Sequence, residues 1–168
     1  LKTQEEITIM REGGKILALI LHELAKKIQP GITTEILNKE AENLFTTWKV
    51  EPSFKGYHGY PASICTSVNE EIVHSIPGKR LLLEGDIITL DAGVFHKGFH
   101  TDAAITVPVG DIKPGIKSFL KTVESALYKA IALIQPGIKV GDLGELIQKT
   151  VERKGYSAVH DLTGHGIG

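Results

Sequence analysis

Two aspartates in adjacent strand candidates are the residues of this sequence whose types and spacing best suit joint chemistry. Asp91 ends the run Ile87-Ile88-Thr89-Leu90, and Asp102 precedes Ala-Ala-Ile on the far side of His96-Lys97-Gly98. If His96-Lys97 forms the loop of a hairpin, Asp91 lies directly opposite Asp102, with side chains about 5 Å apart. Two carboxylates this close repel each other in an apolar setting, so we expect something positive between them.

A divalent cation would satisfy such a pair of carboxylates. Oxygen-rich sites suit Mn, Fe, Co or Zn when a histidine joins the ligand set. Lysine or arginine would serve instead, but neither occupies a neighbouring position of either strand. The alternative is that one or both aspartates face solvent or cap a turn.

Three of the seven histidines stand in short stretches rich in Gly, Pro or aromatic residues, where loops carry chemistry; these are His58, His74 and His165. The other four are typical of surface or packing positions: His22, His96, His100 and His160. The single cysteine, Cys65, lies in an apolar strand candidate with no neighbouring base, which is typical of a small core thiol.

The elements that must position these residues follow from hydrophobic spacing. Steps of three and four predict helices over 7–28, 35–49, 119–134 and 142–154. Runs rich in Val, Ile, Thr and Phe predict strands over 62–68, 86–95 and 99–109. The predicted inward positions include Trp48 in the second helix, Phe119, Val123, Leu127, Ile131 and Ile134 in the third, and Leu143, Leu146, Ile147 and Val151 in the fourth.

A repeated pentapeptide indicates an internal duplication. Ile28-Gln29-Pro30-Gly31-Ile32 recurs as residues 134–138, and each copy separates two predicted helices. We interpret the chain as a single α+β domain with a first half over 1–113 and the start of a second half over 114–168. The second half should need strands of its own, and the sequence ends at Gly168 before any are predicted. We therefore expect this half to be incomplete.

Composition limits the class of protein. The chain has 168 residues, 19 basic and 20 acidic side chains, 42% hydrophobic residues and a net charge of -1. It can bury a core, and its near-neutral charge argues against direct nucleic-acid binding. No apolar run predicts a membrane span or signal peptide, and one cysteine cannot form an internal disulfide. A cytoplasmic location is expected.

Four motifs spaced over more than a hundred residues resemble those of the type I methionine aminopeptidases. They are the segments 56–65 (GYHGYPASIC), 67–74 (SVNEEIVH), 85–91 (GDIITLD) and 163–168 (TGHGIG). The resemblance implies the pita-bread fold, in which two pseudo-symmetric halves each pack helices on antiparallel strands. It covers nearly the whole chain and agrees with the repeat.

The resemblance also implies a site with two divalent metal ions. Asp91 and Asp102 match the bridging carboxylate ligands, and His165 matches the imidazole ligand of one metal. The family's two glutamate ligands and its second histidine lie downstream of the Gly-His-Gly-Ile-Gly motif. We therefore expect the 168-residue chain to lack part of the full site.

Other matched residues concern the substrate. His74 corresponds to the catalytic histidine that contacts the substrate's amino end. The segment around Tyr57, His58, Tyr60 and Cys65 is expected to bind the methionine side chain. Asn69 belongs to a loop that would bind a monovalent cation through backbone carbonyls.

The implied function is removal of the initiator methionine from nascent polypeptides, with a metal-bridging hydroxide as nucleophile. Nascent N-termini, and the ribosome that presents them, are the expected partners, and the chain itself would associate with its missing half or with a second copy. An aminopeptidase of the proline or creatine branch would share the metal ligands, but the Tyr-His-Gly-Tyr-Pro segment argues against that assignment. The alternative from a different functional class is a non-catalytic pita-bread module that binds peptides or proteins.

Overall fold

The computed structural model describes residues 1–167, which form two units. The first comprises Leu1–Ile112 together with the end of the chain from Gly166, and the second comprises Lys113–His165. Gly168, the last residue of the Gly-His-Gly-Ile-Gly motif, lies outside the described residues. No helix within residues 1–167 is long and apolar enough to cross a membrane.

Two helices form one layer of the first unit. Helix α1 spans Gln4–Ala25 and begins with a capping box, in which Thr3 accepts from the Glu6 backbone amide and Glu6 accepts from that of Thr3. Helix α2 spans Thr34–Trp48 and is capped by Thr33. The predicted inward position of Trp48 is wrong: 41% of this side chain is exposed, because the helix ends there and the chain turns at Lys49 in a left-handed conformation.

The second layer is a four-stranded antiparallel sheet. Its strands are β1 (Glu51–Pro52), β2 (Ile64–Val68), β3 (Ile87–His96) and β4 (Phe99–Pro108), and a short 3₁₀ turn covers Tyr57–Gly59 between β1 and β2. Strand β3 is central, since it pairs with each of the other three. The three strands predicted from sequence are therefore present, and none of their ends differs from the prediction by more than two residues.

Alternate residues of the sheet face the two helices and build the core. Ile64 and Val68 of β2 and Ile88, Leu90 and Ala92 of β3 are buried on this face. They pack with one side of each helix, which contributes Leu17, Ile20, Leu21, Leu24, Leu37, Ala41 and Phe45. Because side chains alternate along a strand, the intervening residues point to the opposite face of the sheet.

The hairpin between β3 and β4 differs from the predicted one. His96 pairs with Phe99, so the loop is Lys97-Gly98, and both of its residues have positive φ, 48° and 89°. This is the geometry of a tight two-residue turn whose twist matches that of the strands, and glycine at the second position makes it accessible. The prediction that Asp91 lies directly opposite Asp102 is wrong, because Asp91 pairs with Ala104 and Asp102 with Gly93.

The second unit contains α3 (Pro114–Leu133) and α4 (Val140–Glu152), which pack against each other. The buried residues of these helices are Thr122, Ala126, Ala130 and Val151. Of the residues predicted to point inward, Val151 is buried, whereas Phe119, Val123, Leu127, Ile131, Ile134 and Ile147 are exposed. The small residues of α3 form its buried side, and its large apolar residues form an exposed stripe.

The two copies of the pentapeptide adopt the same local structure. Gly31 and Gly137 have φ of 88° and 93°, a region that favours glycine. The amide of each following isoleucine donates to the carbonyl of the glutamine three residues before it, at 3.4 Å in the first copy and 3.2 Å in the second. A new helix then begins two residues after this isoleucine in both copies.

Candidate metal and substrate site

Asp91 and Asp102 lie on the same face of the sheet, opposite the hydrophobic core. In the observed register they are diagonal neighbours on adjacent strands, a relation that places Cα atoms about 7–8 Å apart with side chains still within reach of one another. Both residues are half-buried, and the Oδ1 atom of Asp102 is fully buried. Two partly desolvated carboxylates on one face fit a divalent cation, which prefers anionic oxygen ligands.

Cys65 completes this face from the third strand. It pairs with Asp91 across β2 and β3 and is 3% exposed. Burial raises the pKa of its thiol, and the charges of Asp91 and Asp102 raise it further, against an opposing effect of a hydrogen bond with Tyr60. The thiol is therefore held neutral beside the acidic pair, as a small side chain rather than as a nucleophile.

Gly93, opposite Asp102, leaves space that another segment fills. A Cβ atom on Gly93 would lie 2.7 Å from Cβ of Ser53 and 2.8 Å from Cε1 of Phe54. The Ser53 amide donates to the Gly93 carbonyl at 2.9 Å, and the Ser53 hydroxyl lies 2.9 Å from Nδ1 of His100. The chain after β1 thus passes directly over the sheet beside the aspartates.

Tyr60 joins this segment to the acidic face. Its hydroxyl lies 3.1 Å from the Ile64 carbonyl oxygen, 3.3 Å from that of Ser75, and within hydrogen-bonding reach of the Cys65 thiol. Burial, first of all, raises the pKa of the Tyr60 phenol, and the neighbouring Cys65 and Asp91 act in the same direction. Tyr60 and Cys65 are therefore adjacent, as the predicted methionine pocket requires.

Tyr57 and His58 lie at the exposed tip of the same segment. Tyr57 is 70% exposed and its ring meets that of His58 edge to face, with centroids 4.4 Å apart. His58 has a left-handed backbone, and Gly56 and Gly59 on either side also have positive φ. The tip is thus a tight turn that presents two aromatic rings to solvent.

His74 is exposed, and the residue after it is hydrogen-bonded to strand β2. The carbonyl of Ser75 accepts from the Thr66 amide of β2 at 3.0 Å and lies near the Tyr60 hydroxyl. His74 itself has a φ of 59°, a left-handed conformation that histidine adopts more readily than most residues. Ser75, the residue after His74, therefore lies beside Tyr60.

The side chain of Asn69 is used to hold the turn after β2. Its Nδ2 donates to Asp86 at 2.8 Å, and its Oδ1 accepts from the Ile87 amide at 3.0 Å. The Asn69 side chain thus has a structural role at this turn, and a cation bound through backbone carbonyls there stays a prediction.

His165, the histidine predicted to act as a metal ligand, belongs to the second unit and is exposed. Among residues 1–167, no group of three or more His, Cys, Asp and Glu side chains suitable for a metal ion is found. His165 as a ligand stays a prediction.

An apolar cavity of about 510 Å³, which sequence reasoning did not anticipate, borders Asp102 on the side of α1. Arg11 and Met10 of α1 line it together with Thr101 and Ala103 of β4. The periodicity of α1 indicated which residues would be apolar, but it gave no signal that Arg11 shares a cavity with Asp102.

Comparisons with known proteins agree with the fold. Residues 8–168 match the model of metallopeptidase family M24. A protein of Bacillus subtilis named methionine aminopeptidase 1 is 46% identical over 167 residues, covering 99% of this chain and 67% of that protein. A methionine aminopeptidase of Clostridium perfringens is 43% identical and is covered over 68% of its length.

Solved structures give the same result. The methionine aminopeptidase of Thermotoga maritima superposes with a TM-score of 0.96 at 41% identity, over 99% of this chain and 67% of that one. A prolidase from Pyrococcus furiosus has a TM-score of 0.83 at 19% identity, a likeness of fold alone.

The chain belongs to metallopeptidase family M24 and has its pita-bread fold of helices on antiparallel strands. Within that family, its similar relatives are the methionine aminopeptidases, which confirms the resemblance seen in the sequence. These relatives do not favour the alternative of a non-catalytic binding module.

Proposed function

We propose that the protein removes N-terminal methionine from nascent polypeptides in a metal-dependent reaction. The observation that carries the proposal is the half-buried pair Asp91 and Asp102 on one sheet face, directly beside Tyr60 and Cys65. Relatives named methionine aminopeptidase support the substrate class. The substrate's availability during translation makes the cytoplasm the proposed location and the ribosome a candidate partner.

Asp91 and Asp102 would hold the metal ions, with His165 as the proposed imidazole ligand on the strength of its motif. Two ions of Co, Mn, Fe or Zn are the proposed cofactors; when bound, such ions activate water near neutral pH and polarise the scissile carbonyl. A monovalent cation near Asn69 is proposed as well.

The chain's own residues bind and orient the substrate. Tyr60 and Cys65 would contact the methionine side chain, since a thioether interacts favourably with aromatic rings and fits an unbranched apolar space. Tyr57 and His58 would close over it from the exposed turn. His74, whose neighbour Ser75 lies beside Tyr60, would contact the substrate's amino end.

The proposal is tested by measuring hydrolysis of Met-Ala-Ser by the 168-residue chain and by the chain extended to the length of its relatives, each with Mn or Co. In the extended chain, Asp102→Asn should abolish hydrolysis and weaken metal binding measured by calorimetry. Asp111→Asn, an exposed aspartate of the same unit away from this face, should do neither. Hydrolysis that ignores chelators, or preferential release of leucine or proline, would contradict the proposal.

A further inference from the structure

One face of helix α2 holds both ends of the segment that carries the proposed pocket residues. Glu42 accepts a hydrogen bond from Nζ of Lys55 at 2.6 Å and one from the Ser63 hydroxyl at 3.3 Å. Asn38, one turn earlier on the same side of the helix, accepts from the Ser63 amide at 2.9 Å. Residues 55–63 are thus tied to α2 at their first and last residues.

Between these two ends the segment is held by the Tyr60 hydroxyl, which lies near the Ile64 and Ser75 carbonyls, and by backbone hydrogen bonds of its own. The Gly56 amide donates to the Tyr60 carbonyl at 2.8 Å, and the Tyr60 amide donates to the Tyr57 carbonyl at 2.9 Å. Such bonds fix the shape of the turn, but they do not fix its position over the sheet. The ring of Tyr57, being mostly exposed, contributes little packing that would do so.

Glu42 is the residue that connects to both ends. Ser63 is 1% exposed, so its hydroxyl needs a partner, and Lys55 brings a positive charge from the other end of the segment. The hydrogen bond from Lys55, the largest effect, lowers the pKa of Glu42, which keeps the carboxylate charged. Hydrogen bonds to a charged acceptor are shorter and stronger than hydrogen bonds to a neutral one.

We propose that Glu42 is a positioning residue for the methionine pocket, acting by tying both ends of residues 55–63 to α2 and so setting the distance of Tyr57 and Tyr60 from Cys65. The inference rests on the proposed function, because it assigns the pocket to methionine. It concerns specificity: a looser segment would bind methionine less well and would distinguish it less from other unbranched side chains.

The chain offers a matched control on the same helix. Glu40 forms an ion pair with Lys27 at 3.6 Å, and the side chains of Glu40 and Glu42 are equally exposed, at 37%. Lys27 lies just after α1, so the ion pair of Glu40 points toward the other helix of the layer rather than toward residues 55–63. Glu42→Gln and Glu40→Gln therefore remove the same charge from similar surroundings.

The test measures amide hydrogen exchange and binding of L-methioninamide by calorimetry, on the 168-residue chain. Glu42→Gln should speed exchange in residues 55–63 and leave β2 and α2 unchanged, and it should weaken methioninamide binding about threefold to fivefold, the range of a partly exposed ion pair. The preference for methioninamide over norleucinamide should fall too. Glu40→Gln should change none of these quantities.

Lys55→Gln removes the other partner of the same ion pair and should likewise speed exchange in residues 55–63 and weaken methioninamide binding. Lys27→Gln is its control. If Glu42→Gln fails to fold, Lys55→Gln takes its place. Exchanging the charges, with Glu42→Lys and Lys55→Glu together, should restore part of the affinity. Equal exchange in the Glu42→Gln and Glu40→Gln variants, or faster exchange with unchanged affinity and preference, would overturn the positioning role. A wild-type chain that binds no methioninamide would instead refute the proposed pocket, and exchange would still decide whether the tie exists.

Discussion

Replacing Gly93 by alanine should destabilise the first unit strongly, although the change adds one methyl group. The new Cβ would meet Cβ of Ser53 at 2.7 Å and Cε1 of Phe54 at 2.8 Å. Carbon atoms in contact are ordinarily about 3.5–4.0 Å apart, so the Ser53 segment would have to move by about 1 Å. Gly93 lies in the central strand, which is paired on both sides and cannot yield.

The destabilisation has two sources, steric crowding and a weakened hydrogen bond. Overpacking of this kind costs about 1–3 kcal/mol. The movement also stretches the hydrogen bond from the Ser53 amide to the Gly93 carbonyl, worth about 1 kcal/mol. We expect the free energy of unfolding to fall by about 2–4 kcal/mol in total.

Urea unfolding followed by the fluorescence of Trp48, the single tryptophan, measures this loss in the first unit. Gly14→Ala is the control, because a Cβ at Gly14 meets nothing within 4 Å and alanine favours a helix, so stability should rise by about 0.5–1 kcal/mol. A Gly93→Ala variant as stable as the wild type would refute the argument that the segment over the sheet is closely packed.

Three further outcomes are expected. Cys65 should react with iodoacetamide far more slowly in the folded chain than in urea, because burial and two nearby carboxylates raise its pKa. The difference in unfolding free energy between wild type and Glu42→Gln should have its full size above pH 4.5, the ordinary glutamate pKa, and should vanish as the pH falls further. The reason is that the pKa of Glu42 is lower in the folded chain than in the unfolded chain, and urea unfolding from pH 7 to pH 3 measures the difference. The exposed stripe of α3 should make the chain self-associate, so sedimentation should show larger species that Leu127→Glu with Ile131→Glu disperses and Lys129→Glu does not.

The acidic pair illustrates what the sequence can and cannot predict. The expected register was wrong by two residues, because the loop position was taken as His96-Lys97 rather than Lys97-Gly98. A shift of two leaves every side chain on its original face, whereas a shift of one would have reversed them. The shared face of Asp91 and Asp102 was therefore predictable, and their direct opposition was not.

The helices show a second limit. Apolar spacing located α3 and α4 but assigned the large residues of α3 to the interior, where Ala126 and Ala130 lie instead. Periodicity identifies an apolar stripe without saying what covers it. The ion pair between Glu42 and Lys55 could not be predicted either, because a contact between a helix and a distant loop leaves no periodic signal in the sequence.

The two faces of the sheet have different roles, and this difference explains how Asp91 and Asp102 are held in place. Leu90 and Ala92, on either side of Asp91, are fully buried against α1 and α2, so the strand cannot slide or turn without exposing core side chains. That constraint fixes the direction in which Asp91 points, and pairing with Gly93 does the same for Asp102. The unfavourable proximity of two carboxylates is therefore sustained by apolar packing on the far side of the same strands. Residues 55–59 are exposed and add no such packing, so the polar ties at the ends of residues 55–63 contribute to the position of the turn, and we expect changes at Glu42 to affect substrate binding more than the stability of the fold.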